Sequence, residues 1–382
     1  MTRRRRLIAP ALAGLTAVAL AACGSSSSGS ASASGSGSGT SVSAAAKTPA
    51  GGAAPVKLGP KGHAETIGWL DAQVSAPIQT RYYTLAQQAA HDLGWTIDFQ
   101  NMDGNVAAAS TDMAGLLANH VKAIITSAIE PSWITQQLAA AKAQGVPVIQ
   151  VGGADGADIN SYKPSYAGVY TENETALAQP LAQQMAGTLA HGGQWGAILT
   201  PLEYDSSARF AAVKSALASN GSAKLVATDN VSLTDRVATA ASDIKSMLEA
   251  NPNITALFGG LDFVTLAASE ALQETHLAGK VKVYSFYTEP GNKSLMQNSP
   301  PTLTSVSDGN QAETSLVGID QLVNQLLLKK PIKFTAAPLD PYFYKTYDAA
   351  DMNAIQGDEG PVPFAKLLAP YLARWKSEGV LG

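Results

Sequence analysis

Hydrophobic and polar positions follow one repeating pattern along most of the chain. Short apolar runs, such as residues 65–70 and 123–127, are each followed by a turn and an amphipathic stretch, the first over about 80–93. The pattern resumes at 195–199 and continues to 282–286. Strands alternating with helices of about 10–15 residues are typical of parallel sheets built from βαβ units. We therefore predict an α/β fold with two such sheets.

This fold class also predicts where a site would lie. In open parallel sheets, ligands bind beyond the carboxyl ends of the strands. Two such sheets facing each other would line one cleft with the segments that follow the strands. The strand ends that the pattern predicts are residues 70, 99, 127, 151, 199, 228, 260 and 286.

The first residues of the chain have the pattern of an export signal. Four arginines (residues 3–6) precede an apolar run of about 16 residues, which is short for a spanning helix of about 20. Leu20-Ala21-Ala22-Cys23-Gly24 resembles the lipobox of bacterial lipoproteins, which implies that Cys23 carries lipid. The alternatives are an uncleaved anchor and a secreted protein with a cysteine near its cleavage site. Residues 24–46 are rich in Gly, Ser and Ala, which is typical of a flexible tether.

Composition narrows the functional classes. Removing the four signal arginines from a formal net charge of −4 gives −8, so the exported part has no basic surface for nucleic acid. Hydrophobic residues are 46% and charged residues 15%, which is typical of globular chains. Cys23 is the only cysteine, which argues against a disulfide framework. After the tether, roughly 320 residues remain, enough for two domains.

Signatures of catalysis are missing from the sequence. The five histidines are isolated and have no paired metal-ligand spacing, and no Gly-x-Ser-x-Gly motif occurs. Gly-x-Gly runs occur only in the low-complexity segment 35–39, with no strand before them. We therefore expect no enzyme, no metal and no cofactor.

Several segments, in order and spacing, resemble the ribose-binding type of periplasmic-binding protein, the solute receptors of sugar ABC transporters. They are 74–77 (VSAP), 121–125 (VKAII) with 143–149 (AQGVPVI), 209–213 (RFAAV) and 251–258 (NPNITALF). The resemblance runs over about 65–333. It implies two similar Rossmann-like α/β lobes, joined by three crossings near 170–173, 308–310 and 335–340. It also implies a hinged closure on a solute and docking on a membrane permease.

The sequence departs from this family at positions that touch sugars. Gly152-Gly153 stand where sugar-binding members have Asp-Arg, Leu261 replaces an Asn before Asp262, Tyr287 replaces an Asp, and Asp308 replaces a Gln. Arg209 and Asp262 are retained. Because unmade buried hydrogen bonds cost about 1–3 kcal/mol each, these losses weaken the case for a ribose-like site. Trp69, Asn101 and Gln150 are further residues able to contribute.

The predicted ligand-binding residues share positions near strand ends, crossings or helix starts. They are Gln73, Ser75, Gln79, Trp133, Gly153, Tyr204, Arg209, Asp262, Phe263, Tyr287 and Asp308. Structural alternatives stay open for several of them. Arg209 is alternatively a surface residue paired with Asp205, Asp262 a helix cap, Asp308 a hinge-turn residue, and Trp69 a core residue.

These expectations combine into one organisation. We predict a signal peptide (1–22), a tether (23–60), an N-terminal lobe (61–171 plus 309–337) and a C-terminal lobe (172–308 plus 338–382). The predicted function is a monomeric, lipid-anchored, extracytoplasmic receptor that delivers a small polar solute, a sugar or polyol, to an ABC permease. The alternatives are a sensor that presents its closed form to a membrane kinase or chemoreceptor, and a receptor for a non-sugar solute.

Overall fold

The computed structural model of the protein describes residues 64–154, 159–201, 204–219, 221, 223–232 and 237–382. The predictions on the signal peptide, Cys23 and most of the tether lie outside these residues. No helix in the described part of the chain is long and apolar enough to cross a membrane.

The first sheet and its helices come from the first part of the described chain. The elements are β1 (Thr66–Asp71), α1 (Pro77–Asp92), β2 (Thr96–Asn101), α2 (Val106–Ala118), β3 (Ile124–Ser127), α3 (Thr135–Gln144), β4 (Val148–Val151) and β5 (Gly168–Tyr170). A 3-10 turn, Pro131–Trp133, precedes α3.

The second sheet takes its strands from later residues. The elements are α4 (Glu174–Thr188), β6 (Gln194–Leu199), α5 (Tyr204–Ala218), β7 (Lys224–Asn230), α6 (Val237–Ala250), β8 (Ile254–Gly259), α7 (Val264–Glu274), β9 (Lys282–Phe286), α8 (Pro290–Gln297) and β10 (Ser305–Gly309). They are followed by α9 (Glu313–Leu326), β11 (Tyr344–Tyr347) and α10 (Phe364–Ser377).

The two sheets share one strand order. The first runs β2-β1-β3-β4-β5 with parallel pairings throughout. The second runs β7-β6-β8-β9-β10 in the same way and adds β11, antiparallel to β10, at its edge. The predicted fold class, two α/β lobes with mostly parallel sheets, is confirmed.

Helix α1 illustrates how the sequence pattern produces packing. Proline at its first position fits a helix start, and its buried side chains recur at the spacing of one helix face, including Ile78, Leu85 and Ala89. Gly94 follows the helix with a φ of 72°, the left-handed conformation predicted for it. The buried face packs chiefly on α9.

Helix α9 is the central helix of the first lobe. All of its residues from Glu313 to Asn324 are buried, and it packs on α1, β4 and β5. A side chain at Gly318 would place its Cβ 2.9 Å from Val151 Cγ1, so glycine permits this close helix–sheet contact. The chain therefore returns from β10 in the second sheet to complete the first lobe.

The position of α10 corrects one expectation. The sequence pattern assigns all of 338–382 to the C-terminal lobe, and α10 lies within this stretch. The helix is present, but it packs on α9 and α1, which belong to the first lobe. Tyr371 donates to Glu313 (2.9 Å) and Trp375 Nε1 to Asp320 (2.9 Å). Within the described residues the chain thus passes between the lobes four times, one more than the resemblance implies.

Candidate functional site

The strand order locates the candidate site. In each sheet the connections change direction beside the first strand, between β1 and β3 and between β6 and β8. Crevices for ligands open at such switch points, beyond the carboxyl ends of the strands. The segments that follow β1, β6, β8 and β9 contain most of the predicted ligand-binding residues.

Arg209, on α5, is the centre of a buried polar cluster. Its Nε donates to Glu174 Oε2 (2.7 Å), its Nη1 to the Gly260 carbonyl (3.2 Å), and its Nη2 lies 3.3 Å from Asp205 Oδ2. Its Nη2 also donates to the Tyr287 hydroxyl, and the guanidinium lies over the Phe286 ring. The side chain is fully buried, unlike the surface residue considered as an alternative, although the pairing with Asp205 is present.

Tyr287 has a backbone conformation that is rare for its residue type. Its φ is 71°, which a side chain with a Cβ adopts only where surrounding contacts require it. The Tyr287 N–H donates to the Ser307 carbonyl (2.9 Å), and the Tyr287 carbonyl accepts from Asn292 Nδ2 (2.9 Å). These contacts turn the ring toward Arg209 at the end of β9, so the strained residue belongs to the candidate site.

Two buried glutamates, Glu172 and Glu174, lie where the chain leaves β5. Tyr82, on α1, donates to Glu172 Oε1 (2.6 Å), which joins a first-lobe helix to the first crossing. Glu172 Oε2 and Glu174 Oε1 are buried and have no hydrogen-bond partner among the described residues. Burial raises the pKa of both carboxyl groups, while the neighbouring Arg209 charge lowers it. These two acids were not predicted as site residues.

Asp262 is buried beside an open pocket at the start of α7. It is 2% exposed, and its Oδ1 accepts from the Phe263 N–H (2.9 Å). Its Oδ2 has no partner within the described chain. Burial raises the pKa of Asp262, and the hydrogen bond from Phe263 N and the charge of Arg209 lower it. One oxygen therefore interacts at the helix start, and the other is buried without a partner among the described residues.

The pocket has a volume of about 550 Å³ and lies between the N-terminal ends of four helices, α1, α6, α7 and α8. Ser75, Pro77 and Thr80 come from the first lobe, and Asp262 and Phe263 come from the second. The remaining lining residues are Val237, Thr265, Leu266, Glu289, Pro290, Gly291, Asn292, Ser294, Leu295 and Asp358. Three of the predicted ligand-binding residues, Ser75, Asp262 and Phe263, are thus brought together.

Asp308, at the end of β10, is occupied by the protein itself. Its Oδ2 pairs with Arg81 Nη1 (3.0 Å) and accepts from the Thr288 N–H and hydroxyl, both at 2.6 Å. Its Oδ1 accepts from the Gly309 N–H (2.8 Å) and Gln311 Nε2 (2.6 Å). The carboxylate therefore fixes Arg81, a first-lobe residue, against the second lobe.

Other predicted residues lie on the first-lobe side of the cleft. Gln79, on α1, accepts a hydrogen bond from the Ser127 hydroxyl at the end of β3. Gln73 follows β1 and has its side-chain oxygen buried without a partner among the described residues. Gly153 has a φ of 55° and lies against Ala128, the residue after β3. These residues surround the carboxyl ends of the central strands.

Trp133 and Trp69 do not line the pocket. Trp133 is half-buried and packs against the hydrophobic cluster around α2 and α3, outside the described pocket. Trp69 is fully buried and donates to Asp71 Oδ2 (3.0 Å), as its structural alternative requires. Tyr204 is half-buried at the start of α5, one turn before Arg209. Gln150 is buried in the sheet and donates to the Gly152 carbonyl (3.1 Å).

Sequence reasoning missed Arg81, Thr288 and Glu289. Glu289 comes three residues after the end of β9, so the strand-end rule that found Tyr287 points to it as well. Arg81 carries no such signal, because an arginine within an amphipathic helix is ordinarily a surface residue. Here it is 2% exposed.

Among the described residues, no group of three or more His, Cys, Asp or Glu side chains is placed to hold a metal ion. The arrangement is instead a cleft with buried carboxylates and one open pocket. It can bind a small polar molecule through hydrogen bonds, and the two lobes contribute different walls.

Several solved structures share this fold. An ABC sugar transporter subunit from Rhodobacter sphaeroides superposes with a TM-score of 0.63 at 18% identity, covering 74% of this chain and 98% of its own. An ABC transporter solute-binding protein from Burkholderia graminis, in complex with D-arabinose, has a TM-score of 0.65 at 20% identity, covering 78% and 100%. One from Agrobacterium vitis, bound with α-D-tagatopyranose, gives 0.65 at 16% identity, covering 75% and 95%.

No curated protein matches this sequence. A family model does, and its match covers residues 70–327, from the end of β1 to the end of α9. The family consists of binding proteins rather than enzymes, as the sequence led us to expect. With this match and the two parallel sheets of shared order, the chain belongs to the periplasmic binding protein domain family.

Proposed function

We propose that this protein is a lipid-anchored, extracytoplasmic receptor that captures a small polar solute, a sugar or polyol, and delivers it to an ABC importer. One observation carries the proposal. Asp262 Oδ2 and Glu289 Oε2 are buried without partners among the described residues, on residues that line a pocket of about 550 Å³. Because an unmade buried hydrogen bond is costly, such atoms indicate a ligand that donates to them.

The geometry supports a receptor that responds to its ligand. First-lobe residues (Ser75, Pro77, Thr80) and second-lobe residues (Asp262, Phe263) line the same pocket. A solute that contacts both walls binds the closed arrangement more tightly than an open one, and this difference in affinity drives closure. Related solute-binding structures carry sugars, D-arabinose and α-D-tagatopyranose among them, which supports the sugar or polyol class.

Anchoring and delivery rest on different grounds. The lipid anchor is supported by the sequence around Cys23, outside the described residues, and by the Gly/Ser/Ala-rich stretch that follows it. Membership of a periplasmic binding protein family places the protein outside the cytoplasm. A lipid anchor would keep the loaded receptor close to a permease in the same membrane.

Thermal unfolding of the purified chain across sugars, polyols, amino acids and nucleosides tests the proposal. A ligand that binds only the folded chain stabilises it by about 2.7 kcal/mol at a hundredfold excess over Kd. We expect a clear rise in Tm with a sugar or polyol, and its loss in Asp262→Asn. The matched control is Asp243→Asn, an exposed residue on α6, which retains the shift. A shift only with amino acids or nucleosides would overturn the sugar assignment.

A further inference from the structure

The pocket described above is lined by acidic side chains and by no basic ones among the described residues. Asp262, Glu289 and Asp358 line it, and none of its described lining residues is Lys, Arg or His. Arg81 lies near Glu289, but its own charge is paired with Asp308 at 3.0 Å. Arg209 is likewise paired with Glu174 and Asp205. The described side chains that line the pocket therefore include three acids and no base.

The unpartnered atoms are all of one chemical kind. Asp262 Oδ2 and Glu289 Oε2 both belong to carboxyl groups at least nine-tenths buried, with exposures of 2% and 7%. An ionised carboxylate only accepts hydrogen bonds. A hydroxyl group brings one donor and two lone pairs, whereas an ammonium group brings three donors and no acceptor. Two buried acceptors, with no unpartnered buried donor among the described lining residues, therefore match an ammonium group better than a hydroxyl.

Hydrogen bonds at the starts of the two helices do not satisfy Asp262 Oδ2 and Glu289 Oε2. Asp262 Oδ1 accepts from Phe263 N at the start of α7, and this leaves Oδ2 unused. Glu289 precedes α8, but its side chain makes no capping hydrogen bond. A metal ion is not indicated either, because the described residues contain no group of three or more ligand side chains suitably placed. An organic cation remains.

We propose that the solute carries a protonated amine that binds between Asp262 and Glu289 beside Phe263, so that the substrate class is amino sugars or amino polyols. This inference rests on the proposed function and specifies its ligand. Phe263 lines the same pocket, and an aromatic ring face attracts a cation. Apolar walls at Pro77, Leu266 and Leu295 suit the carbon skeleton of an organic amine.

The electrostatics of the two acids agree with this assignment. Burial raises the pKa of Asp262, which also senses the opposing charges of Arg209 and Asp205. Burial likewise raises the pKa of Glu289; Asp262, Asp308 and Asp358 raise it further, and Arg81 lowers it. A cation between Asp262 and Glu289 favours their charged forms. Binding of an amine therefore releases protons from the protein, and binding of a neutral sugar does not.

Isothermal titration of the purified full chain with matched ligand pairs tests the proposal. The pairs are D-glucosamine with D-glucose, D-galactosamine with D-galactose, and D-glucamine with D-sorbitol. We expect the amine of at least one pair to bind about tenfold or more tightly than its neutral partner, as one charge-assisted hydrogen bond suffices for that ratio. Repeating the titration in buffers of different ionisation enthalpy should reveal proton release for the amine only.

Variants connect the preference to the two carboxylates. Asp262→Asn and Glu289→Gln should each reduce the amine-to-neutral affinity ratio toward one. The exposed α6 variants Asp243→Asn and Glu249→Gln should leave the ratio unchanged, and an unaltered Tm confirms that each variant folds. Equal or tighter binding of the neutral partners in the parent protein would overturn this inference and leave the proposed function standing. Absence of binding by every member of the three pairs would overturn both.

Discussion

Asp71, the last residue of β1, has its carboxyl group completely buried. It accepts from Trp69 Nε1 and from the Gln73 N–H, each at 3.0 Å. Burial nevertheless dominates these two hydrogen bonds and raises the pKa of Asp71 from 3.8 to about 7. Two hydrogen bonds to a carboxylate are therefore insufficient to replace its hydration at this depth.

This shift predicts a pH dependence of stability. Between 3.8 and about 7 the folded chain binds a proton at Asp71 that the unfolded chain has lost. The free energy of unfolding therefore falls as pH rises through this window, on the order of 1 kcal/mol per pH unit from this residue. Asp71→Asn should remove this contribution to the slope in urea unfolding at pH 4.5–7. Asp243→Asn is the exposed control, and an unchanged slope in Asp71→Asn would contradict the prediction.

The site residues differ in how far the sequence determines them. Asp262 and Tyr287 lie at strand ends, and the alternation of strands and helices is enough to locate both near a cleft. Arg81 was not predicted, because its inward direction depends on how α1 is rotated against α9 and on an acceptor 227 positions away, Asp308. Such a long-range pairing leaves no local pattern.

Among the helices and strands, the repeating pattern predicted most of the first-sheet and second-sheet strands to within two residues, and β9 at its observed bounds. It missed β5, which has only three residues, and α4, which contains Pro180. It also missed β10, β11, α8 and α9. The placement of α10 was also wrong. An amphipathic pattern indicates that one side of a helix is buried. It does not indicate which lobe buries that side.

Helix α10 provides a prediction of its own. Trp375 is fully buried, and its Nε1 donates to Asp320 Oδ1 (2.9 Å) on α9. Trp375→Ala leaves a large cavity and removes one donor from a buried carboxylate, so we expect a loss of about 3–5 kcal/mol in stability. Urea unfolding measures this loss. Lys376→Ala, on the exposed side of the same helix, should change stability by less than about 0.5 kcal/mol. Similar values for the two variants would show that α10 contributes little to the fold.

For the molecule as a whole, Arg81 is a polar link between the lobes. It extends from α1 to Asp308 on β10, to the Thr288 carbonyl and to the Asp358 carbonyl (2.8 Å) in the segment before α10. A side chain on Gly360 would place its Cβ 2.8 Å from Arg81 Nη1, so this segment lies directly over the guanidinium. One residue thus joins three separate parts of the chain.

Removing this link should loosen the arrangement of the lobes. Arg81→Met leaves Asp308 buried without its cation, which costs about 3–5 kcal/mol. Adding Asp308→Asn should recover a large part of that loss, because it removes the unpaired charge. We also expect a larger radius of gyration for Arg81→Met in small-angle X-ray scattering of ligand-free protein. Lys122→Met, an exposed residue of the first lobe, is the control. An unchanged radius and stability in Arg81→Met would show that the ion pair does not hold the lobes.

The return of α9 and α10 to the first lobe sets the order in which the protein is completed. All five strands of the first sheet precede Thr171, yet α9, which packs on this sheet, ends at Leu326, and α10, which packs on α9 and α1, ends at Ser377. At about 5–20 residues per second, a ribosome needs ~10–40 s to synthesise the chain between Thr171 and Ser377. During that interval the first lobe has α1, α2 and α3 but lacks α9 and α10, while the strands β6–β10 of the second sheet are being synthesised. The lobe that is synthesised first is therefore the last to be completed, and until then it depends on whatever keeps exported chains from aggregating.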